Sequence, residues 1–354
     1  MKNSFGLTVQ DYLNNPQQSA LTNIVSILLL PFSLIYAFVM IVRRQLYEMG
    51  VFRSKRFDHP VISVGNLTTG GTGKTPFEIY LVELMRDMDL KPLILSRGYG
   101  SKSSGMNVVR GNDNEESDKI PDEVSMIAEI YPDLPIAFGT NRYKAYQQAA
   151  KQYDFDLVIL DDGFQHLKIR RDLDILILDA ACPFGSGRLL PSGNLREPGS
   201  MLRYADLAVL NLKSDSKKVE NWQGLTGRYA VTDIISFNSN EKMEPSDFAG
   251  KNCAMITAIG DANSFQSLLK KQNLKISRAF RFRDHHDYTE EDLKDVREMC
   301  ISDGIERLFT TEKDAVKLKR ICFENPPVYV IKIAFRLENG EDELKQRIRA
   351  LARK

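Results

Sequence analysis

Hydrophobic and polar positions divide the chain into three successive patterns. The first is an uncharged run from Ala20 to Val42. As a helix rising 1.5 Å per residue, it is roughly 35 Å long, enough for a bilayer core. Pro31 is a place for a kink. Arg43-Arg44 follow at once, then Lys55-Arg56. By the positive-inside tendency this charge keeps the remainder on the cytosolic side. A cleaved signal peptide would have a shorter apolar core and a basic start. A buried core helix is the other alternative; the pattern favours a membrane anchor, either spanning or lying in one leaflet.

From Val61 to about Leu212 the pattern changes to short β-branched runs alternating with helical stretches. The expected strands are Val61–Val64, Pro92–Leu95, Ile136–Phe138, Leu157–Leu160, Ile175–Leu178 and Leu207–Leu210. Near-continuous apolar strands separated by helices predict a parallel sheet covered on both faces. Gly100 to Lys119 is polar and contains glycine and serine, so it reads as a loop. After the charged stretch Lys213 to Gly227, a second alternation begins. Strands are expected at Ala254–Ile256, Ile276–Phe280, Leu308–Thr310 and Val328–Ile333. Helices are expected near Asn263–Lys271 and near Glu290–Ser302, and from Glu341 to Ala352.

Composition narrows the field. A formal charge of +1 over 354 residues leaves no basic footprint for nucleic acid, so no nucleic-acid partner is expected. The cysteines (Cys182, Cys253, Cys300 and Cys322) are widely separated, which argues against a zinc site or a disulfide framework and fits a reducing cytosol.

The chemistry concentrates after the first strand. Gly70-Gly71-Thr72-Gly73-Lys74-Thr75 stands between Val61–Val64 and a helical stretch from Pro76. Strand, glycine-rich loop, Lys-Thr and helix make a phosphate cradle. Loop amides converge on phosphate oxygens, the helix dipole adds positive charge, Lys74 reaches the β- and γ-phosphates, and Thr75 offers its hydroxyl to Mg²⁺. The strict pattern places its first glycine where this chain has Thr68. Leu157–Leu160 ends in Asp161-Asp162, the expected place for carboxylates that organise Mg²⁺. Arg142 and Arg196 are candidate planar donors to phosphate oxygens. Asp122-Glu123 opens a helical stretch after Pro121, and Asp284-His285-His286 offers a histidine beside a carboxylate.

Taken in order, these motifs resemble the tetraacyldisaccharide 4'-kinase family. The string runs through Gly65-Asn66, the Gly70–Pro76 loop, Ser96-Arg97-Gly98-Tyr99 and Asp161-Asp162-Gly163-Phe164-Gln165-His166. It continues through Arg171-Asp172, Gly187-Arg188-Leu189-Leu190-Pro191, Leu195-Arg196-Glu197-Pro198, Asp284-His285 and Thr311-Glu312-Lys313-Asp314. The resemblance implies ATP and Mg²⁺ as cofactors, the lipid A disaccharide precursor as acceptor, and work at the cytosolic face of the bacterial inner membrane. It implies Asp122 as base with help from His285, Glu123 with the metal-binding set, and Asn66, Arg97 and Tyr99 on the lipid side. Pro121 and Val124 stand where the family's Gly-Asp-Glu-Pro motif has glycine and proline, and Asn194 replaces a proline before Leu195. The expected architecture is α/β: residues 1–44 as anchor, 45–225 as a P-loop kinase domain, 226–354 as a smaller α/β domain. A membrane-associated switch ATPase of the cell-division positioning type is the alternative. Such proteins usually carry an extra lysine early in the loop, where this chain has Thr69.

Overall fold

A computed structural model describes residues 20–98, 107–110, 120–212, 222–284, 286–319 and 325–353. The chain divides into two compact units. One comprises Met1–Leu212, Lys217–Gly227 and Leu337–Lys354; the other comprises Lys213–Ser216 and Arg228–Arg336.

The first unit opens with helix α1 (Ala20–Glu48), which runs on through Pro31 and past Arg43-Arg44. From Val25 to Glu48 it is long and apolar enough to cross a membrane. Its surface is not uniform. Ile27, Leu28, Phe32, Leu34, Ile35 and Phe38 are exposed, whereas Ser26, Ser33 and Arg44 are buried. The helix thus has an outer apolar face and an inner face that carries its polar groups.

The sheet of this unit is formed by β1 (Val61–Gly65), β2 (Pro92–Ser96), β3 (Asn107–Arg110), β4 (Pro135–Phe138), β5 (Leu157–Asp161), β6 (Leu173–Asp179) and β7 (Leu207–Leu212). Their order is β7-β6-β1-β5-β2-β4-β3. All neighbours are parallel except β3, which runs antiparallel to β4. This strand corrects the reading of Gly100–Lys119 as loop throughout: Asn107–Arg110 forms an edge strand, Val108 pairing with Ala137. Helices α2 (Lys74–Arg86), α3 (Asp122–Ile130) and α4 (Arg142–Gln152) lie between strands in the chain. β1 and β5 are buried along nearly their whole length, as strands covered on both faces must be. One apolar cluster gathers Phe57, Leu93, Leu95, Tyr146 and Val158; another gathers Leu67, Phe164, Leu176, Leu195 and Leu210, with Ile41 of α1 packed against it. From β1 the chain proceeds to β2 on one side, and later to β6 and β7 on the other. β1 therefore stands at the switch point, where open α/β sheets bind ligands at their carboxyl edge.

The second unit holds the order β11-β10-β12-β13-β8, from β10 (Cys253–Thr257), β11 (Ile276–Arg281), β12 (Arg307–Thr311) and most of β8 (Leu225–Ser236) and β13 (Val328–Asn339), of which the first three residues of β8 and the last three of β13 are counted with the first unit. The short β9 (Lys242–Met243) pairs antiparallel with β8. Helices α5 (Ala262–Lys271), α6 (Glu290–Ser302) and α7 (Glu312–Lys319) complete it. The closing helix α8 (Glu341–Ala352), grouped by sequence with the second domain, belongs to the first unit; Tyr80 Oη donates to Glu341 Oε2 at 2.8 Å.

Asp314 shows why Thr311-Glu312-Lys313-Asp314 follows β12. Its fully buried carboxylate accepts from Thr257 Oγ1 at 2.9 Å, Ala258 N at 3.1 Å and Thr311 Oγ1 at 2.7 Å. It ties the ends of β10 and β12 together. Removing it strands three buried donors, each costing about 1–3 kcal/mol when left unpaired. Asp314→Ala is expected to destabilise the second unit by about 3 kcal/mol or more, read as a lower urea midpoint. An unchanged midpoint would show that water replaces the carboxylate at no cost.

Candidate functional site

The site is built where β1 ends. Gly65 packs against the chain after β5 so tightly that a Cβ would lie 2.6 Å from that of Phe164. Gly70 and Gly73 take φ values of 104° and 97°, in the left-handed region that favours glycine. Thr68, in place of the expected first glycine, is in a bridge with Leu195, an extended conformation that needs no glycine. The loop is tied down from two sides. Thr69 N donates to Asn194 O and Arg196 N to Leu67 O, both at 2.7 Å. On the other side Asn66 Nδ2 donates to Thr72 Oγ1 at 3.1 Å, and Asn211 Nδ2 to Thr72 O at 2.9 Å. Helix α2 then starts at Lys74, so the loop amides and the positive helix end face the same edge.

Asn66, expected on the lipid side, is fully buried and braces this loop instead, with its carbonyl accepting from Gln165 Nε2 at 2.9 Å. Asn211 escaped the sequence reading. Its signal was present: a lone amide inside the apolar strand Leu207–Leu212, where a buried polar group needs a partner.

β5 lies beside β1, with Asp161 in register with Val64. The acid pair is thereby placed next to the loop. Asp161 Oδ2 accepts from Ser96 Oγ at 2.7 Å. Asp162 sits at φ 46°, a left-handed conformation that aspartate tolerates. Arg196 Nη1 donates to both of its carboxylate oxygens, at 2.9 and 2.7 Å; Lys74 Nζ lies 3.5 Å from Oδ1. Arg142 Nη1 donates to the Asp162 carbonyl at 3.4 Å. Burial pushes the Asp162 carboxyl up, but Lys74, Arg196 and Arg142 together outweigh it and hold the group below its usual range. Burial also lowers the Arg142 guanidinium, opposed by Asp161 and Asp162. Lys74, Arg142 and Arg196 thus surround a strand edge that carries two carboxylates, leaving positive charge for a polyanion.

The other candidates are placed as follows. Thr75 is the second residue of α2, and Asp122 and Glu123 open α3 behind Pro121. Arg97 is exposed just beyond β2. Tyr99 and His285 lie outside the described residues. His286, in the second unit, has Nε2 2.8 Å from Asp292 Oδ2 and stacks on Phe282.

Mg²⁺ fits the donors at the strand edge. Among the described residues no group of three or more His, Cys, Asp or Glu gathers. Mg²⁺ in phosphoryl-transfer sites uses one or two carboxylates, with nucleotide oxygens and water supplying the rest. Asp161, Asp162 and the Thr75 hydroxyl are such hard oxygen donors. Asn66 Oδ1 and Gln165 Oε1, buried beside the loop without a hydrogen-bond partner among the described residues, are further acceptors.

Residues 25–353 match the model of the family described as tetraacyldisaccharide-1-P 4'-kinase. The tetraacyldisaccharide 4'-kinase of Pelobacter propionicus is 34% identical over 307 residues, covering 84% of this chain and 85% of that protein. The Aquifex aeolicus relative of the same name is 36% identical, covering 90% and 97%. The crystal structure of LpxK from Aquifex aeolicus in complex with ATP superposes with a TM-score of 0.75 at 32% identity, covering 92% of this chain and 99% of that one.

His166, which follows the acid pair, supplies a pH test. Burial, then the neighbouring Arg142, Lys168 and Arg171, lower its imidazole to about 4. The unfolded chain takes up this proton as pH falls through about 6.5, whereas the folded chain waits until about 4. Stability is therefore lost as pH falls across that window. The urea midpoint of the unaltered protein is expected to drop more steeply there than that of His166→Gln. Parallel curves would remove His166 as the source.

Proposed function

The chain belongs to the tetraacyldisaccharide 4'-kinase family, and from that premise we propose how its residues phosphorylate the 4'-hydroxyl of a tetraacyldisaccharide 1-phosphate, with ATP and Mg²⁺, in lipid A biosynthesis. The observation that carries the residue assignment is the convergence of Lys74, Arg142 and Arg196 on the acid pair beside the glycine loop. With every named relative a lipid A precursor kinase, the switch-ATPase alternative is not favoured.

In this reading the amides of Gly70–Gly73 and the N-terminus of α2 cradle the phosphates. Lys74 holds the β- and γ-phosphates, and Arg142 and Arg196 take the charge that spreads over the equatorial oxygens. Thr75, Asp161 and Asp162, with Glu123 as a further candidate, hold Mg²⁺, which neutralises phosphate charge when bound. On nucleotide binding Arg196 exchanges part of its bond to Asp162 for phosphate, one charge-assisted partner for another. The acceptor oxygen bonds to the γ-phosphorus, the bond to the β-bridging oxygen breaks, ADP leaves, and a carboxylate takes the hydroxyl proton. Asp161 is engaged by Ser96, and Asp162 by Arg196 and Lys74. The family motif, carried over to this chain, makes Asp122 the base and His285 its helper, and Asp122 stands on a segment separate from that pair. Arg97 and Tyr99 are assigned to the acceptor.

The apolar outer face of α1 supports work at a membrane, since an acyl-bearing acceptor is costly to extract, at about 0.8 kcal/mol per CH₂. We assign the inner membrane and its cytosolic face, where ATP belongs, on the family resemblance.

Two variants test the assignment through transfer of labelled γ-phosphate to the acceptor in detergent. Lys74→Ala is expected to abolish transfer in a folded protein; normal turnover would exclude the loop from the mechanism. Asp122→Ala is expected to lower kcat by roughly 10²-fold or more with ATP affinity retained. Loss confined to ATP affinity would make Asp122 a metal or structural residue instead.

A further inference from the structure

The inner face of α1 reaches the chain segments that carry Asp162 and Arg196. Ser26 and Ser33 first dock the helix on the loop before Arg196. Ser26 Oγ donates to Ser192 O at 2.7 Å and Ser33 Oγ to Leu189 O at 2.9 Å, while Ser192 N donates to Ser33 Oγ at 2.9 Å. One turn further, Tyr36 Oη donates to the carbonyl of Arg196 at 2.9 Å. Two turns beyond that, Arg44 is buried between the rings of Phe164 and Tyr204, at 4.6 and 4.8 Å from their centres. Its Nη2 donates to the Phe164 carbonyl at 3.3 Å and to Glu197 Oε2 at 2.9 Å.

These partners are specific. Phe164 lies two residues after Asp162, and Glu197 immediately follows Arg196. A single guanidinium from the apolar helix thus grips both chain segments whose side chains form the Asp162–Arg196 pair. Tyr36 fixes the backbone of Arg196 from the same side. Burying the Arg44–Glu197 pair carries a large desolvation cost, and replacing such a pair by apolar residues often stabilises a fold. Its geometry sets the register of two segments at the site, a result an apolar contact would not secure.

We propose that Tyr36 and Arg44 are positioning residues for phosphoryl transfer: through the Arg196 carbonyl, Glu197 and Phe164 they hold the Arg196 guanidinium where the γ-phosphate arrives. This rests on the reading of Arg196 as a phosphate donor. The helix that meets the lipid is then a structural part of the catalytic edge.

The test uses the full chain in detergent micelles with saturating ATP and acceptor, comparing Tyr36→Phe, Arg44→Lys and Arg196→Ala singly with each of the first two combined with the third. Tyr36→Phe and Arg44→Lys are expected to lower kcat on the order of tenfold, with KM for ATP and the thermal midpoint close to those of the unaltered protein. In the Arg196→Ala background neither is expected to lower kcat further, because the group they position is gone. Tyr36→Phe loses only a hydroxyl and carries the test alone if Arg44→Lys fails to fold. Unchanged kcat in the single variants, with Arg196→Ala impaired, would overturn the positioning role. So would an equal loss in both backgrounds, the mark of general support for the fold. If Arg196→Ala itself keeps full kcat, its reading as phosphate donor fails and this inference falls with it, an outcome distinct from the other two.

Discussion

The site depends on two loops being fastened to each other by their backbones. Thr68 and Thr69 bridge Leu195 and Asn194, and Arg196 N closes the set on Leu67. Neither loop contributes a ladder strand of its own, so these bonds fix their separation. They satisfy buried main-chain groups that would otherwise be stranded beside an apolar cluster containing Leu67, Phe164 and Leu195. The Arg196–Asp162 bond spans this fastened pair, which makes its geometry a property of the backbone as much as of two flexible side chains. Asn194 explains its own presence: Oδ1 accepts from Ser186 N at 2.9 Å, a loop-closing bond that proline could not make.

Much of this was legible beforehand, for physical reasons. A strand buried on both faces has to be continuously apolar, so Val61–Val64, Leu157–Leu160 and Leu207–Leu210 stood out. A carboxylate pair at the end of such a strand is conspicuous because its desolvation demands a purpose. The glycine loop was recognisable despite Thr68, because left-handed φ is required at Gly70 and Gly73 and an extended bridge at position 68 is not.

Other features are invisible in one dimension. Asn107–Arg110 is a short edge strand whose pairing with β4 is decided by the neighbour it finds. Asn66 carried a motif position but no indication that its amide would face Thr72. The docking face of α1 was hidden most completely. Ser26, Ser33 and Tyr36 are uncharged, so they scarcely interrupt an apolar run, and their spacing becomes a stripe only once the helix is wound. Arg44 read as a flank of the membrane segment, although its charge is spent inside the protein on Glu197.

That stripe has a consequence for how the protein meets its acceptor. A helix clad in lipid all round can rotate about its own axis, but one whose inner side is bonded to its own domain cannot. Among the described residues, the side bearing Ile27, Phe32, Ile35 and Phe38 is left exposed. On the membrane reading proposed above, a bilayer that takes up this side would hold the first unit at one roll angle, and finding the acceptor would become a search in two dimensions.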